Sequence, residues 1–158
     1  MKRHTKVGLG VIAFICGISL WYTFREDYGV GVNSVGWLPP EARDITYFRN
    51  GLTELAEFDI EPEAFGRWCA DRKRPLRELG DGEHPTVCRP LWMLEKRGVL
   101  PATAESNEAE QDAHGRQPIN KYFTAGDLFY EERWPNNGGY SIGYDIKQRR
   151  GYYEFRHH

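Results

Sequence analysis

The chain predicts an α+β head, a twisted antiparallel sheet of about five strands with one helix packed across a face, behind an N-terminal transmembrane helix. Three observations carry this. Residues 7–24, VGLGVIAFICGISLWYTF, form an uncharged apolar run; residues 127–155 alternate large rings with polar side chains at strand period; and Phe65, Trp68, Cys69 and Arg72 fall at i, i+3, i+4 and i+7 of a helix. The organisation that follows is a cytoplasmic N-terminus at 1–6, a span at 7–24, a juxtamembrane stalk at 25–44 and an extracytoplasmic domain at 45–158, with a mobile loop at 101–118.

At about 1.5 Å rise per residue the apolar run reaches roughly 27 Å, close to the hydrocarbon thickness of a bilayer. Lys2, Arg3 and Lys6 precede it and Arg25 alone follows within the first turns, so the N-terminus is expected inside and the domain outside. Trp21, Tyr22 and Phe24 then fall where an aromatic belt meets the outer headgroups. A cleaved signal peptide is the competing reading. Gly17 and Ser19 offer small residues for a cut, but Leu20, Trp21 and Tyr22 carry the apolar run past them. Bulky Phe14 and Ile15 argue against lipidation at Cys16, and Ala13 with Gly17 has the small-xxx-small spacing of a helix-pairing face.

Beyond the span, 18 Lys and Arg (21 less the three before it) face 23 Asp and Glu, a formal charge of −5. That balance excludes a nucleic-acid binder and a surface drawn to anionic lipid. About 130 residues suffice for one compact domain, and the abundance of aromatics suits a sheet-rich core closed by large rings. Cys69 and Cys88 lie in the part placed outside, where an oxidising compartment permits a bridge. Closing a loop of about 20 residues would stabilise by roughly 3 kcal/mol, and two unpaired buried thiols fit the same spacing, so both outcomes stay open.

Within the head, the glycines of residues 25–44 and the paired Pro39-Pro40 read as an irregular stalk, with Trp37 and Leu38 packing back on the domain. Residues 45–49 and 52–60 flank Asn50-Gly51, the strongest short hairpin signal. Glu61-Pro62-Glu63 opens a helix over about 62–73, since proline suits the first turn and acids complement the dipole there. Arg72, Lys73 and Arg74 stand at its end and Pro75 stops it. With Arg77 they would make an anion site, though a solvated helix terminus explains them more simply. Residues 78–85 form a turn and 86–89 a short strand ended by Pro90, while 91–100 is ambiguous between helix and strand. The acidic 101–118 segment has almost no large apolar residue and is expected to be mobile. Leu128, Tyr130 and Trp134 share one face of the next strand, and Pro135 to Gly139 turn the chain. Tyr140, Ile142 and Tyr144 line a second strand, and Tyr153 with Phe155 closes a meander.

Chemistry is sparse. Gly139-Tyr140-Ser141-Ile142-Gly143 matches G-x-S-x-G, but a turn precedes it and a strand follows, so the nucleophile-elbow context is missing. The histidines lack metal-ligand spacing, and no catalytic, cofactor or metal residue is assigned. Glu57, Asp59, Glu61 and Glu63 cluster at a strand-to-helix junction, where acids also serve the helix start. Adjacent Tyr152 and Tyr153 must point to opposite faces of the sheet, so the candidate partner contacts are Trp37, Trp134, Tyr140, Tyr144, Tyr152 and Tyr153. Rings covered by the domain itself are the plainer account of the same residues.

The run Trp37-Leu38-Pro39-Pro40-Glu41-Ala42, with Asp44-Ile45, Tyr47, Glu57-Phe58-Asp59-Ile60, Leu128 to Glu131, Pro135, Gly138-Gly139, Tyr144-Asp145 and Gly151-Tyr152-Tyr153, resembles a group of uncharacterised bacterial single-pass membrane-anchored proteins. The resemblance covers most of the outer domain and its motifs are turns, strand rings and the stalk. It implies a bacterial source and a domain on the periplasmic side, and no activity. The expectation is a tethered interaction or accessory module with a protein partner in the envelope. A small envelope hydrolase using carboxylates near Asp59 and Glu61, or a structural subunit of a membrane complex, are the alternatives.

Overall fold

A computed structural model describes residues 25–101 and 120–157. The span expected at 7–24 and nearly all of the loop expected at 101–118 lie outside the described residues. Among the described residues no helix is long and apolar enough to cross a membrane.

The strands are β1 Asp27–Val32, β2 Arg43–Arg49, β3 Thr53–Asp59, β4 Arg77–Glu78, β5 Thr86–Cys88, β6 Asn120–Tyr122, β7 Leu128–Arg133, β8 Gly139–Asp145 and β9 Arg150–Arg156; the helices are α1 Pro62–Asp71 and α2 Pro90–Lys96. Among the described residues, seven strands form one sheet in the order β1-β2-β3-β9-β8-β7-β4, and β5 pairs with β6 in a second. Every pairing is antiparallel. The expected α+β class thus holds, with more strands and one more helix than the sequence pattern suggested.

β9 lies at the centre of the sheet, and its alternation builds two cores. Tyr153 points to one face, where Ala56, Phe58, Ile142 and Tyr144 meet Phe65, Trp68 and Cys69 of α1. Phe65 sits edge-on to Phe58 with centroids 5.5 Å apart and Trp68 edge-on to Tyr153 at 6.0 Å. Each such buried ring contributes about 2–3 kcal/mol from water exclusion. Tyr144 is fully buried and donates its hydroxyl proton to the Ile60 carbonyl at 2.9 Å. Tyr152 points to the opposite face and packs with Leu79, Val87, Phe123 and Phe129. That second face is roofed by the β5–β6 pair and by α2, whose Arg97 guanidinium lies 5.1 Å from the Phe48 ring centre.

The stalk expected at 25–44 is instead part of the fold. β1 pairs with β2 from Asp27↔Arg49 to Val32↔Ile45, and Leu38 and Ala42 are buried. The glycines that suggested a stalk have packing roles. A Cβ at Gly29 would stand 2.7 Å from Tyr47 Cε1, and Gly31 takes φ +63° where a bulge between Gly29 and Val32 shifts the register. The ambiguous stretch after Pro90 is helical to Lys96, with proline in its first turn. At Asn50 the side-chain oxygen accepts from the Leu52 and Thr53 amides at 2.9 and 2.8 Å, so the hairpin loop runs one residue beyond Asn-Gly.

Gly143 sets the second core. A Cβ there would stand 2.2 Å from Phe123 Cζ, far inside van der Waals contact, so the glycine is the seat on which that ring rests. Gly143→Ala is expected to lower stability by about 2–3 kcal/mol through overpacking. Gly66→Ala, in α1 with nothing within 4 Å, should raise it by up to about 1 kcal/mol. Urea unfolding of the full chain in detergent, followed by tryptophan fluorescence, measures both.

Candidate interaction surface

α1 covers only part of its sheet face. The strand register lays Arg49, Glu54, Phe155, Tyr140 and Glu132 in one row across β2, β3, β9, β8 and β7, one step beyond the row that holds Tyr153 and Ile142. Phe155 and Tyr140 are half-buried with centroids 4.8 Å apart, and Trp134 stands edge-on to both at 5.8 Å. Trp37 closes the other side, 5.5 Å from Tyr153 and 6.2 Å from Tyr47. Arginines lie on these rings. Arg49, Arg72 and Arg74 place their guanidinium carbons 5.7, 4.1 and 3.4 Å from the centres of Trp37, Trp68 and Tyr140.

The last of these follows from how α1 ends. Lys73 takes a left-handed φ of 59°, and the Lys73 and Arg74 amides return to the carbonyls of Ala70 and Cys69, which turns Arg74 back over Tyr140. Trp134 Nε1 donates to Glu132 at 2.9 Å and Tyr130 donates to the same carboxylate at 3.0 Å. Together with the charge of Arg74 they hold the Glu132 carboxyl below its ordinary value. Trp37 Nε1 and Trp68 Nε1 are buried with no acceptor among the described residues, a cost of about 1–3 kcal/mol each that ring packing must offset.

Beyond Arg49 and Phe155 the row opens into a cleft of about 490 Å³, lined by Arg25, Glu26, Asp27, Arg49, Asn50, Gly51, Glu54 and Phe155. Its charges are mixed. Arg49 pairs with Glu54 at 2.8 Å, the Tyr47 hydroxyl donates to Asp27 at 3.0 Å, and Glu26 pairs with Arg97, whose hydrogen bond pulls its pKa down.

The opposite face carries a polar network that strand alternation alone did not reveal. Glu57, 3% exposed, accepts a two-pronged bond from Arg89 at 2.7 and 3.1 Å, with Arg150 at 3.6 Å behind it. Glu154 accepts the Cys88 amide at 2.6 Å and pairs with Arg156 at 2.5 Å. Burial, then the charge of Glu57, pushes the Tyr152 hydroxyl up to about 12. These groups have their partners and close the face rather than open it.

Among the expected contacts, Trp37, Trp134 and Tyr140 therefore share the half-exposed surface. Tyr144, Tyr152 and Tyr153 do not: all three are buried, because the centre of a seven-stranded sheet is covered on both faces. Cys69 and Cys88 are free thiols rather than a bridge, the first in the α1 core and the second beside Glu154 on the other face, with the sheet between them. Asp59 and Glu61 are exposed and held by Arg150 and Arg149, and Ser141 of the G-x-S-x-G run is buried mid-strand, its hydroxyl oxygen accepting a hydrogen bond from Arg133 at 3.2 Å. Among the described residues no group of His, Cys, Asp and Glu is placed to hold a metal ion. No protein-family model, curated protein or solved structure matches the chain.

Burial pushes the Cys69 thiol up to about 12 and the Cys88 thiol also upward, so neither presents a thiolate near neutral pH. Iodoacetamide at pH 8 should leave both unmodified in the folded chain and label both after unfolding without reductant, read by peptide mass. Arg89→Ala should lower stability by about 2 kcal/mol in urea titration, less than an unsupported buried pair because Arg150 remains.

Proposed function

We propose that the chain is a membrane-tethered interaction module. Residues 7–24 hold it in the bilayer with the N-terminus inside, and the head, on the far side, engages an envelope protein through the ring-and-arginine row from Trp37 to Trp134. The observation that supports this reading is the incomplete cover of one sheet face: α1 stops at Asp71, and Phe155, Tyr140 and Trp134 are only partly buried, with Arg74 stacked on Tyr140. Trp, Tyr and Arg are the residue types that dominate protein contacts, since each offers large area with little conformational freedom to lose. Mixed charges at the rim, Arg49 with Glu54 and Arg74 with Glu132, suit a partner that is itself neither strongly acidic nor strongly basic.

A photo-reactive residue in place of Trp134, irradiated in intact cells, is expected to give one discrete adduct that Tyr140→Ala weakens at least fivefold, whereas the same residue in place of Glu83 gives none. Adducts of equal yield from both positions would remove the reading. Accessibility of a tag after His158 only from within the cell would remove the orientation.

A further inference from the structure

We propose that the cleft between the start of β1 and the β2–β3 hairpin holds the phosphoethanolamine headgroup of a lipid from the bilayer that anchors the chain. This rests on residues 7–24 spanning the membrane. The apolar run ends at Phe24 and β1 begins at Asp27, so the residues between can reach no more than roughly 10 Å. Arg25, Glu26 and Asp27 themselves line the cleft. With no stalk to raise it, the cleft lies at the depth of the outer headgroups, which extend several ångströms beyond the hydrocarbon.

The strand pairing brings the rest of this end to the same level. Asp27 is opposite Arg49, and the hairpin tip exposes Leu52, whose carbonyl accepts the His157 amide at 2.7 Å. Trp134 stands edge-on to His157 beside it, with ring centroids 6.2 Å apart. A tryptophan and an exposed leucine on one rim are the residue types that settle at a membrane interface.

The lining selects the headgroup. Two guanidiniums, Arg25 and Arg49, match the phosphate, whose oxygens accept paired N–H donors. Three carboxylates, Glu26 beside Arg97, Asp27 beside the Tyr47 hydroxyl and Glu54 beside Arg49, oppose a purely anionic headgroup and keep further lone pairs to share with a primary ammonium, whose three N–H donors a choline lacks. The cleft volume, about 490 Å³, is within the range of small-molecule sites. The Arg49–Glu54 pair is 46% and 18% exposed, and such a pair is easily exchanged for contacts with a ligand.

Native mass spectrometry of the full chain in detergent, titrated in turn with phosphatidylethanolamine, phosphatidylcholine and phosphatidylglycerol, tests this. Expected is at least threefold higher retention of phosphatidylethanolamine, lost in Arg49→Ala and in Glu54→Ala and kept in Arg67→Ala, with melting temperatures reported for each. Equal retention of the three lipids, or a preference that survives Arg49→Ala, overturns the proposal. Displacement by soluble glycerophosphoethanolamine at equal concentration overturns the lipid as the source. Carbonate extraction of the same membranes separates the failures: a chain released by carbonate fails the anchor and this site with it, and a retained chain without preference fails this site alone.

Discussion

Everything in the head depends on the alternation of one strand. β9 occupies the middle of the sheet, and between Gly151 and Phe155 its side chains point in turn to opposite faces. Tyr153 seeds the core under α1 and Tyr152 the core under Phe123, and a shift of one residue in β9 would exchange them. The flanking glycines make the alternation workable. Gly151 leaves room for the Phe58 ring, and Gly143 on β8 leaves room for Phe123. Large rings and bare backbone thus share single rows, and the register is fixed by which ring finds which gap.

Two faces under one strand also explain why one is chemically closed and the other partly open. On the Tyr152 face the inward positions Glu57 and Glu154 are charged, and they tie down Arg89, Arg156 and the β5 backbone. Breaking such a buried bond leaves an uncompensated charge, so the roof over this face is held in one arrangement. On the Tyr153 face the contacts are ring on ring, and α1 is too short to reach the final row. The partly buried rings there are the price of a ten-residue helix on a broad sheet.

What could be seen in the residues alone was local chemistry. The Asn50-Gly51 hairpin, the proline-led α1 with Phe65, Trp68 and Cys69 inward, and the meander of β7, β8 and β9 all announce themselves within a few positions. The burial of Glu57 and Glu154 does not, because an acid on an alternating strand looks like a solvent face until Arg89 or the Cys88 amide is brought over it from afar. β1 was hidden for the opposite reason. Its sequence, DYGVGV, interleaves Tyr28, Val30 and Val32 with glycines that read as an irregular stalk, and those glycines answer to Tyr47 and to a bulge that no pattern within 27–32 displays. Of the surface row, Trp37, Trp134 and Tyr140 were legible as rings, whereas Phe155 and the stacked arginines depend on register and on the turn after α1.

The bulge in β1 also bears on how copies of this domain can meet. Among the described residues β1 is an outermost strand, with one row of amide and carbonyl groups facing away from the sheet. At high local concentration, open strand borders of neighbouring molecules can zip into ladders. The left-handed turn at Gly31 and the register slip beside it break the regular spacing such a ladder requires, and the far border, β4, is only two residues long. Neither border therefore offers a long, regular row on which another copy could extend the sheet.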